Sequence, residues 1–291
     1  MKAKDWFIFV LLGGIWSSSF LWIKIAVQEI GPLTLVALRV LFGLLFGIAV
    51  ILIGRVQLPR NVKDWRPLLV LGITNVAIPF FLISWGEQSI DSAVAAILDA
   101  TVPLFAIVIA HLSLHDDRIT LSKLLGLLVG FAGVVVLMSR DIRTSSGSLL
   151  GQAAVVIASI FYAGSSVYAR KSTESTPGIL RSVGPLLSST VVMWIAAPIA
   201  ESPLRLPQLP ITWVALLWLG ILGSGVAFIL SYYLIHAIGP TRTTMVTYLF
   251  PLGGVILGVS FLGEQLTWQL LAGAVLILAS LAVANIQPRS R

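Results

Sequence analysis

Two sets of four residues, at matching positions in the two halves of the chain, have the side chains and spacing of a ligand-binding helix face. The first set is Trp16, Ser19, Phe20 and Lys24, and the second is Tyr162, Ser165, Ser166 and Arg170. The members of each set stand at i, i+3, i+4 and i+8, which places them on one face of a helix. Aromatic rings beside hydroxyl groups suit a substrate with an apolar side chain and a polar head. We therefore expect both faces to line a cavity; the alternative is that Trp16 and Tyr162 only pack in a core.

Three ionisable side chains fall inside apolar segments, where an uncompensated charge is costly. They are Asp99, Arg39 and Lys24. Asp99 lies about six residues into its segment, which is roughly 9 Å at 1.5 Å per residue. Three roles compete for it. In the first role, Asp99 forms a structural ion pair with Arg39 or Lys24, and in the second it binds a substrate ammonium. In the third it carries a coupling proton, because a desolvated carboxylate holds a proton more readily than one in water.

Seven further side chains in apolar segments are secondary candidates for the cavity, each with ordinary packing as its alternative. They are Asn75, Ser224, Phe228, Tyr232, Thr244, Thr247 and Tyr248. Pro103 and Pro251 stand at equivalent places in two other segments. A proline inside a helix removes a hydrogen bond and bends the helix, so this pair is predicted to form hinges, with fixed curvature as the alternative. Trp85 and Glu87 lie where the third span leaves the membrane and are interpreted as an anchor at the membrane interface.

The segments that carry these residues are long and apolar enough to cross a bilayer. Hydrophobic residues make up 57% of the chain and charged residues 11%, against about 25% charged residues in a soluble domain. Lipid offers no partner to backbone N–H and C=O groups, so the spans must be helical. The first span resembles a signal peptide, but its apolar run continues to Val27, which favours an uncleaved helix. Ten spans are predicted, at 6–27, 33–53, 67–85, 93–112, 121–138, 150–169, 180–199, 213–235, 242–262 and 268–286.

The distribution of basic residues predicts that both termini face the cytoplasm. With that orientation, 14 of the 19 Lys and Arg residues lie on the cytoplasmic side, three lie on the opposite side and two lie inside spans. This is the positive-inside pattern of membrane proteins. It accounts for the net charge of +7 without a nucleic-acid partner. We therefore expect a multi-pass protein of the inner membrane.

A short motif recurs 147 residues further along the chain, which indicates a tandem duplication. Asp117-Arg118-Ile119-Thr120 is followed by Gly126, and Glu264-Gln265-Leu266-Thr267 is followed at the same distance by Gly273. Five spans per half is an odd number, so the second half enters the membrane from the opposite side. The predicted fold is an all-α membrane protein with two inverted five-helix repeats, residues 1–140 and 147–287, around a central cavity. Inverted halves of this kind build the substrate path of many secondary transporters.

Other classes of function lack their usual residues. The chain has no cysteine, and its three histidines are scattered, so neither a metal site nor a cofactor is expected. A membrane enzyme needs convergent acids, histidines or a nucleophile with its base, and a channel needs a ring of equivalent groups; both stay as alternatives to a transporter. The expected partners are a small-molecule substrate and the lipid bilayer. A monomer is expected, with a dimer as the alternative.

Several motifs in order make the chain resemble the EamA-type members of the drug/metabolite transporter superfamily. They are Gly14-Ile15-Trp16-Ser17-Ser18-Ser19-Phe20 with Lys24, Ala37-Leu38-Arg39, Pro103-Leu104-Phe105, Phe250-Pro251-Leu252 and the duplicated motif. The resemblance covers nearly the whole chain. It implies a basket of ten helices whose central cavity opens alternately to the two sides. Asp117 departs from the pattern, because the other half has the more usual glutamate. Both acids stand at a helix start, where a carboxylate can cap the helix.

The resemblance also implies transport of small metabolites, commonly amino acids and often outward, with export of other metabolites or drugs as the alternative. The most similar subgroup is that of YddG-like exporters of aromatic and neutral amino acids. Proton coupling and facilitated diffusion are both compatible with the residues.

Overall fold

In the computed structural model, the described residues form a bundle in which we distinguish ten helices. The structure describes residues 2–56, 58, 61–113, 119–139, 146–173, 176–238, 243 and 245–284, without the side chains of residues 62, 146, 147, 232 and 236. We number the helices α1 (Ala3–Ala26), α2 (Pro32–Ile53), α3 (Lys63–Gly86), α4 (Ser92–Ser113), α5 (Leu121–Met138), α6 (Ser148–Ser172), α7 (Gly178–Ala200), α8 (Pro210–Ile235), α9 (Met245–Leu262) and α10 (Trp268–Ala284).

Each predicted span corresponds to one of these helices. The described part of the chain is helical and contains no strand, which confirms the all-α prediction. Nine of the helices are long and apolar enough to cross a membrane, whereas α10 has only 17 residues. The count of ten spans and the inverted relation of the halves stay predictions.

Short connections bring the helix ends together at one end of the bundle. Odd-numbered helices finish there and even-numbered helices begin there. The connecting segments are 27–31, 87–91, 201–209 and 263–267. Proline occupies the first position of α2 and of α8, where its missing N–H costs no helical hydrogen bond. We call this end the capped end.

The main helix contacts join the first five helices to the last five. Helix α5 packs along α10, α2 along α7, α3 along α6, and both α1 and α4 along α9. The buried core is therefore shared between the two halves, and each of the ten helices contributes side chains to it. Neither half has a separate core.

Glycines allow the closest helix contacts. A Cβ built at Gly43 of α2 would lie 3.1 Å from the carbonyl oxygen of Gly220 of α8, and one built at Gly126 of α5 would lie 2.7 Å from the Cβ of Ala284. Only residues without a side chain let the backbones approach this far. Gly254 of α9 meets Ala96 of α4 in the same way. These glycines therefore pack inside the chain.

Two helices contain a widened π-helical stretch that the sequence reading did not predict. It runs over Gly72–Ala77 in α3 and over Trp218–Val226 in α8. Such stretches release backbone groups from the regular α-helical pattern and are frequent at functional sites. In α8 the hydroxyl of Ser224 donates to the carbonyl of Leu219, five residues earlier, at 3.0 Å. The stretch in α8 contains Gly223 and Ser224, which accept hydrogen bonds from side chains of the central site described below.

Both predicted hinge prolines follow a local change in helix geometry. Helix α4 is interrupted at Ala100 and Thr101, and its second α-helical part, Val102–Ser113, has Pro103 in its first turn. Helix α9 opens with a 3-10 turn, Met245–Tyr248, and Pro251 lies in the first α-helical turn that follows. The geometry is compatible with either a hinge or a fixed bend, and the hinge role stays a prediction.

Candidate functional site

The capped end is held by glutamates that accept hydrogen bonds from helix N-termini. The first turn of a helix leaves backbone N–H groups without a partner, and Gly31, before α2, has no side chain to supply one. Glu201 supplies the acceptor from the α7–α8 connection. Its carboxylate accepts from the amides of Leu33 and Thr34 at 2.7 and 2.9 Å, and from the Thr34 hydroxyl at 2.6 Å.

Glu264, in the α9–α10 connection, holds the start of α4 in the same manner. Its carboxylate accepts from the amides of Ser92 and Ala93 at 2.7 and 3.0 Å. The expected capping role is therefore found, but Glu264 caps α4 and not α10, the helix that follows it in sequence. The hydroxyl of Thr267 accepts from the first turn of α10 instead. Asp117 lies outside the described residues.

Glu29, in the α1–α2 connection, holds the start of α8 through the two residues before the helix and through Thr212 in its first turn. Its carboxylate accepts from the amides of Gln208 and Leu209, the latter at 2.9 Å, and from the hydroxyl of Thr212. The Thr212 hydrogen bond lowers the pKa of Glu29 most, desolvation opposes this, and the two amides add to the lowering. A lowered pKa means that this cap contributes above the ordinary pKa of a glutamate and is lost as the pH falls through the lowered value. We call Glu29, Glu201 and Glu264 the three glutamate caps.

Each glutamate cap joins the two halves of the chain. Glu29 lies in the first half and caps a helix of the second, whereas Glu201 and Glu264 lie in the second half and cap helices of the first. Any motion that separates the halves at this end must break all three caps. The three glutamate caps therefore hold the two halves together at the capped end.

Aromatic side chains from α1, α8 and α9 meet in the middle of the bundle. The Trp16 ring packs edge-on against Phe228 and Phe250, with centroids 6.3 and 6.2 Å apart, and Phe20 packs against Phe250 at 6.1 Å. The indole N–H of Trp16 donates to the carbonyl of Gly223, in the π-helical stretch of α8, at 3.2 Å. The predicted face of α1 and the predicted Phe228 thus come together in an aromatic cluster.

Arg39 of α2 is buried beside this cluster, with 4% of its surface exposed. Its Nε donates to the hydroxyl of Ser224 at 3.2 Å, and its guanidinium lies 3.6 Å from the centroid of the Phe80 ring. Stacking on an aromatic face suits a guanidinium. Within the described residues no carboxylate pairs with it directly, so its remaining N–H donors are available to an anion.

Asp99, at the end of the first part of α4, is also buried, with 6% of its surface exposed. The Ser159 hydroxyl is its side-chain hydrogen-bond neighbour, and Oδ1 has no partner among the described residues. The phenol of Tyr162 on α6 is electrostatically coupled to both Asp99 and Arg39. No direct ion pair joins Asp99 to Arg39 or Lys24 in the part of the chain that the structure describes, so the structure gives no support to the structural-pair role.

Lys24 points to the end of α3 and not to the central site. Its ammonium donates to the backbone carbonyls of Glu87 and Ile90 at 2.7 and 2.8 Å. It therefore satisfies carbonyls that the end of a helix leaves without a partner, a favourable place for a cation. This cation lies at the capped end, in the last turn of α1.

Glu87 is not an interfacial anchor, because none of its surface is exposed. It is the first residue after α3, and neither carboxylate oxygen has a hydrogen-bond partner within the described residues. Burial raises the pKa of this carboxyl well above its usual range, and the nearby Lys24 ammonium opposes the rise. The sequence reading missed it, because an acid just after an apolar segment looks solvated. Trp85, in contrast, is partly exposed, as an anchor would be.

The other predicted cavity residues do not gather in one place. Ser165 of α6 donates to Thr74 in the π-helical stretch of α3 at 2.9 Å, whereas Ser19 and Ser166 donate to carbonyls of their own helices. Ser166 is exposed, and Asn75, Thr247 and Tyr248 are half-buried. Thr244 and the side chain of Tyr232 lie outside the described residues. The structure gathers Trp16, Phe20, Arg39, Ser224 and Phe228 most closely.

A cavity of about 340 Å³ opens at the capped end. Its walls come from the last turn of α1 and the α1–α2 connection, from the residue just before α4, and from the end of α9 and the α9–α10 connection. They include Lys24, Gln28, Asp91 and Glu264. We call it the vestibule. Within the described residues, no group of three or more His, Asp or Glu side chains is arranged to hold a metal ion.

Comparison with known proteins identifies the family to which this arrangement belongs. The EamA-like transporter family matches residues 5–139 and 149–286, which together make up nearly the whole chain. The chain belongs to the EamA-like transporter family. The resemblance seen in the sequence motifs is thereby confirmed, and the protein is a membrane transporter. The more specific YddG-like subgroup stays a prediction.

Individual relatives carry transporter names. The uncharacterized inner membrane transporter YedA of Escherichia coli (strain K12) is 31% identical over 258 residues, which cover 87% of this chain and 81% of YedA. The uncharacterized transporter YoaV of Bacillus subtilis (strain 168) is 23% identical, with 90% of each chain covered. A crystal structure with a TM-score of 0.71 and 21% identity covers 98% of both chains. That likeness supports the fold alone.

Proposed function

We propose that this family member is a secondary transporter of the inner membrane that exports small zwitterionic metabolites, with aromatic and neutral amino acids as first candidates. The observation that carries this proposal is the buried Arg39 beside the aromatic cluster. A buried cation is costly without a partner, and Arg39 has donors left for a carboxylate. A guanidinium binds a carboxylate through two parallel N–H donors, so the α-carboxylate of an amino acid fits this place.

The surroundings of Arg39 suit the remaining parts of an amino acid. The rings of Trp16, Phe20, Phe228 and Phe250 offer apolar surface to a side chain. Asp99 has an oxygen without a partner among the described residues, and the phenol of Tyr162 interacts electrostatically with both Asp99 and Arg39. We therefore assign the substrate ammonium to Asp99. This arrangement uses both halves of the chain, as a site between two inverted repeats would.

Alternating access in this protein is proposed to involve opening of the capped end, which we place on the outer side of the membrane. The glutamate caps keep that end closed in the present conformation. Opening must exchange their hydrogen bonds for bonds to water, which is a small cost for groups near an aqueous boundary. The bends that precede Pro103 and Pro251 are the proposed hinges.

Counterflow in proteoliposomes tests the function. Vesicles loaded with an unlabelled aromatic or small neutral amino acid are expected to take up the labelled compound faster than empty vesicles, and uptake is expected to saturate. Arg39→Lys keeps the charge but loses the planar donor pair, so the KM is expected to rise about tenfold or more, as for one lost charged hydrogen bond. Arg205→Lys, at an exposed position, is the matched control.

Two results would contradict the proposal. No counterflow of any amino acid by a folded wild-type preparation would remove amino acids as the substrate class. Flux that never saturates and gains nothing from internal substrate would indicate a channel.

A further inference from the structure

Glu87 is a buried acid that does not belong to the substrate site proposed above. Its carboxylate is enclosed on every side, and both oxygens lack a hydrogen-bond partner among the described residues. A carboxylate in that condition loses several kcal/mol of hydration if it is ionised. Its position therefore favours the neutral acid in the present closed conformation.

The charged groups around Glu87 come from four other parts of the fold. Lys24 of α1 and Glu264 of the α9–α10 connection affect it most after burial, followed by Arg39 of α2 and Asp99 of α4. The two cations stabilise the ionised form and the two acids destabilise it. Lys24 does not bond to the carboxylate, since the two hydrogen bonds of its ammonium go to backbone carbonyls.

Glu87 lies between the vestibule and the central site. Lys24 and Glu264 both line the vestibule, whereas Arg39 and Asp99 belong to the central site. Ser84 precedes Glu87 by three residues on the same face of α3, and its buried hydroxyl also lacks a partner in the described part of the chain. Polar groups thus follow one another from the capped end toward the middle of the bundle.

We propose that Glu87 is a proton-binding site that couples entry of a proton from the vestibule to export of the substrate. The carboxylate takes a proton from water in the open vestibule, and the neutral acid is then buried as the capped end closes. The proton is later released to water on the opposite side, when substrate binds. The ionised carboxylate is costly in the closed form, so it favours reopening of the capped end. One proton enters as one substrate leaves.

The inference rests on the proposed function, and a pH gradient across proteoliposomes tests it. For one proton per substrate, a gradient of one pH unit is worth about tenfold accumulation of substrate. Wild-type protein is expected to show this stimulation, and Glu87→Gln is expected to lose it. The comparison uses the ratio of gradient-driven uptake to counterflow, measured in the same vesicles. Asp64→Asn, at an exposed acid, is the control and is expected to keep the wild-type ratio.

The outcomes separate this inference from the function on which it depends. Absence of counterflow in the wild type would count against the amino acid substrate and not against the proton site. Counterflow without any stimulation by a pH gradient in the wild type would overturn the inference. Full stimulation in Glu87→Gln, or stimulation by a sodium gradient in place of the pH gradient, would overturn it as well.

Thermal unfolding of the detergent-solubilised protein gives a readout that needs no substrate. A carboxyl with a raised pKa in the folded state contributes stability at low pH that is lost as the pH rises through the raised value. As the pH rises above the ordinary glutamate pKa, the Tm of the wild-type protein is therefore expected to fall more steeply than the Tm of Glu87→Gln. Parallel curves would overturn the proposal. If Glu87→Gln does not fold, Glu87→Asp serves, with a shifted pH profile of transport expected and an unchanged profile as the contrary result.

Discussion

At the scale of single residues, the proposed site combines a buried guanidinium, Arg39, with a buried acid, Asp99, that has an unpartnered oxygen among the described residues. Arg39 is held in place by one hydrogen bond to Ser224 and by the Phe80 ring, and it retains further donors. Asp99 has an oxygen without a partner in the described structure. Buried polar groups are normally paired, so such exceptions indicate a ligand. Because no ion pair joins Arg39 to Asp99 in the described part of the chain, we propose that each binds one charge of a zwitterionic substrate.

Substitution of Asp99 distinguishes its competing roles. Asp99→Asn removes the charge that an ammonium would contact, while it keeps the size and polarity of the side chain. We expect the KM for an amino acid to rise about tenfold to a hundredfold, as for one charged hydrogen bond. The KM for the matching compound without the amino group is expected to change little. Competition of both compounds against labelled substrate measures the difference.

A general loss of folding or turnover would affect the two compounds alike. Equal changes in both KM values would therefore argue against ammonium binding by Asp99. Asp64→Asn again serves as the control, since it makes the same chemical change at an exposed position.

At the scale of helices, hydropathy predicted where the spans lie but not how their ends are held. The apolar runs are set by local composition, and their ends agree with the helices within a few residues in the described chain. The partners of Glu29 and Glu201 are 167 to 183 residues away in sequence, so no local pattern shows them. The π-helical stretches and the burial of Glu87 likewise depend on neighbours from other helices. The position of Trp16 and Phe20 on one face of α1 was predictable, because helix spacing alone determines it.

Removal of one glutamate cap tests the closed state of the capped end. Glu201→Gln replaces a charged acceptor at the start of α2 by a weaker one, at a cost of about 1 kcal/mol, typical of a helix cap. That amount shifts an equilibrium between closed and open forms about fivefold. The chain has no cysteine, so Ser84→Cys introduces a single thiol behind the vestibule. Its reaction with a membrane-impermeant maleimide is expected to be about fivefold faster in Glu201→Gln.

The comparison needs a background that leaves all three caps intact. Ser84→Cys with Asp64→Asn provides it and is expected to react at the rate of Ser84→Cys alone. Equal rates in all three proteins would show that the Glu201 cap does not limit opening.

At the scale of the whole molecule, the two halves form one body. The main helix contacts cross from one half to the other, and so do the three glutamate caps. Under the proposed alternating-access mechanism, neither half can open independently. Contacts between the halves at one end must be exchanged for contacts at the other, and the three glutamate caps are the contacts proposed to break when the capped end opens.

The direction in which this end faces is predicted from charge. Of the basic residues that the structure describes, Lys63 and most others lie at the opposite end, and cytoplasmic loops of membrane proteins are rich in Lys and Arg. The capped end is therefore expected to face outward. Gln28→Cys places a thiol at the exposed rim of the vestibule, and Lys63→Cys places one at the exposed start of α3. A membrane-impermeant maleimide added to intact cells is expected to label Gln28→Cys and to reach Lys63→Cys only after the membrane is permeabilised. The reverse pattern would place the glutamate caps and Glu87 on the cytoplasmic side, and an exporter driven by protons entering at the capped end could not then work in the proposed direction.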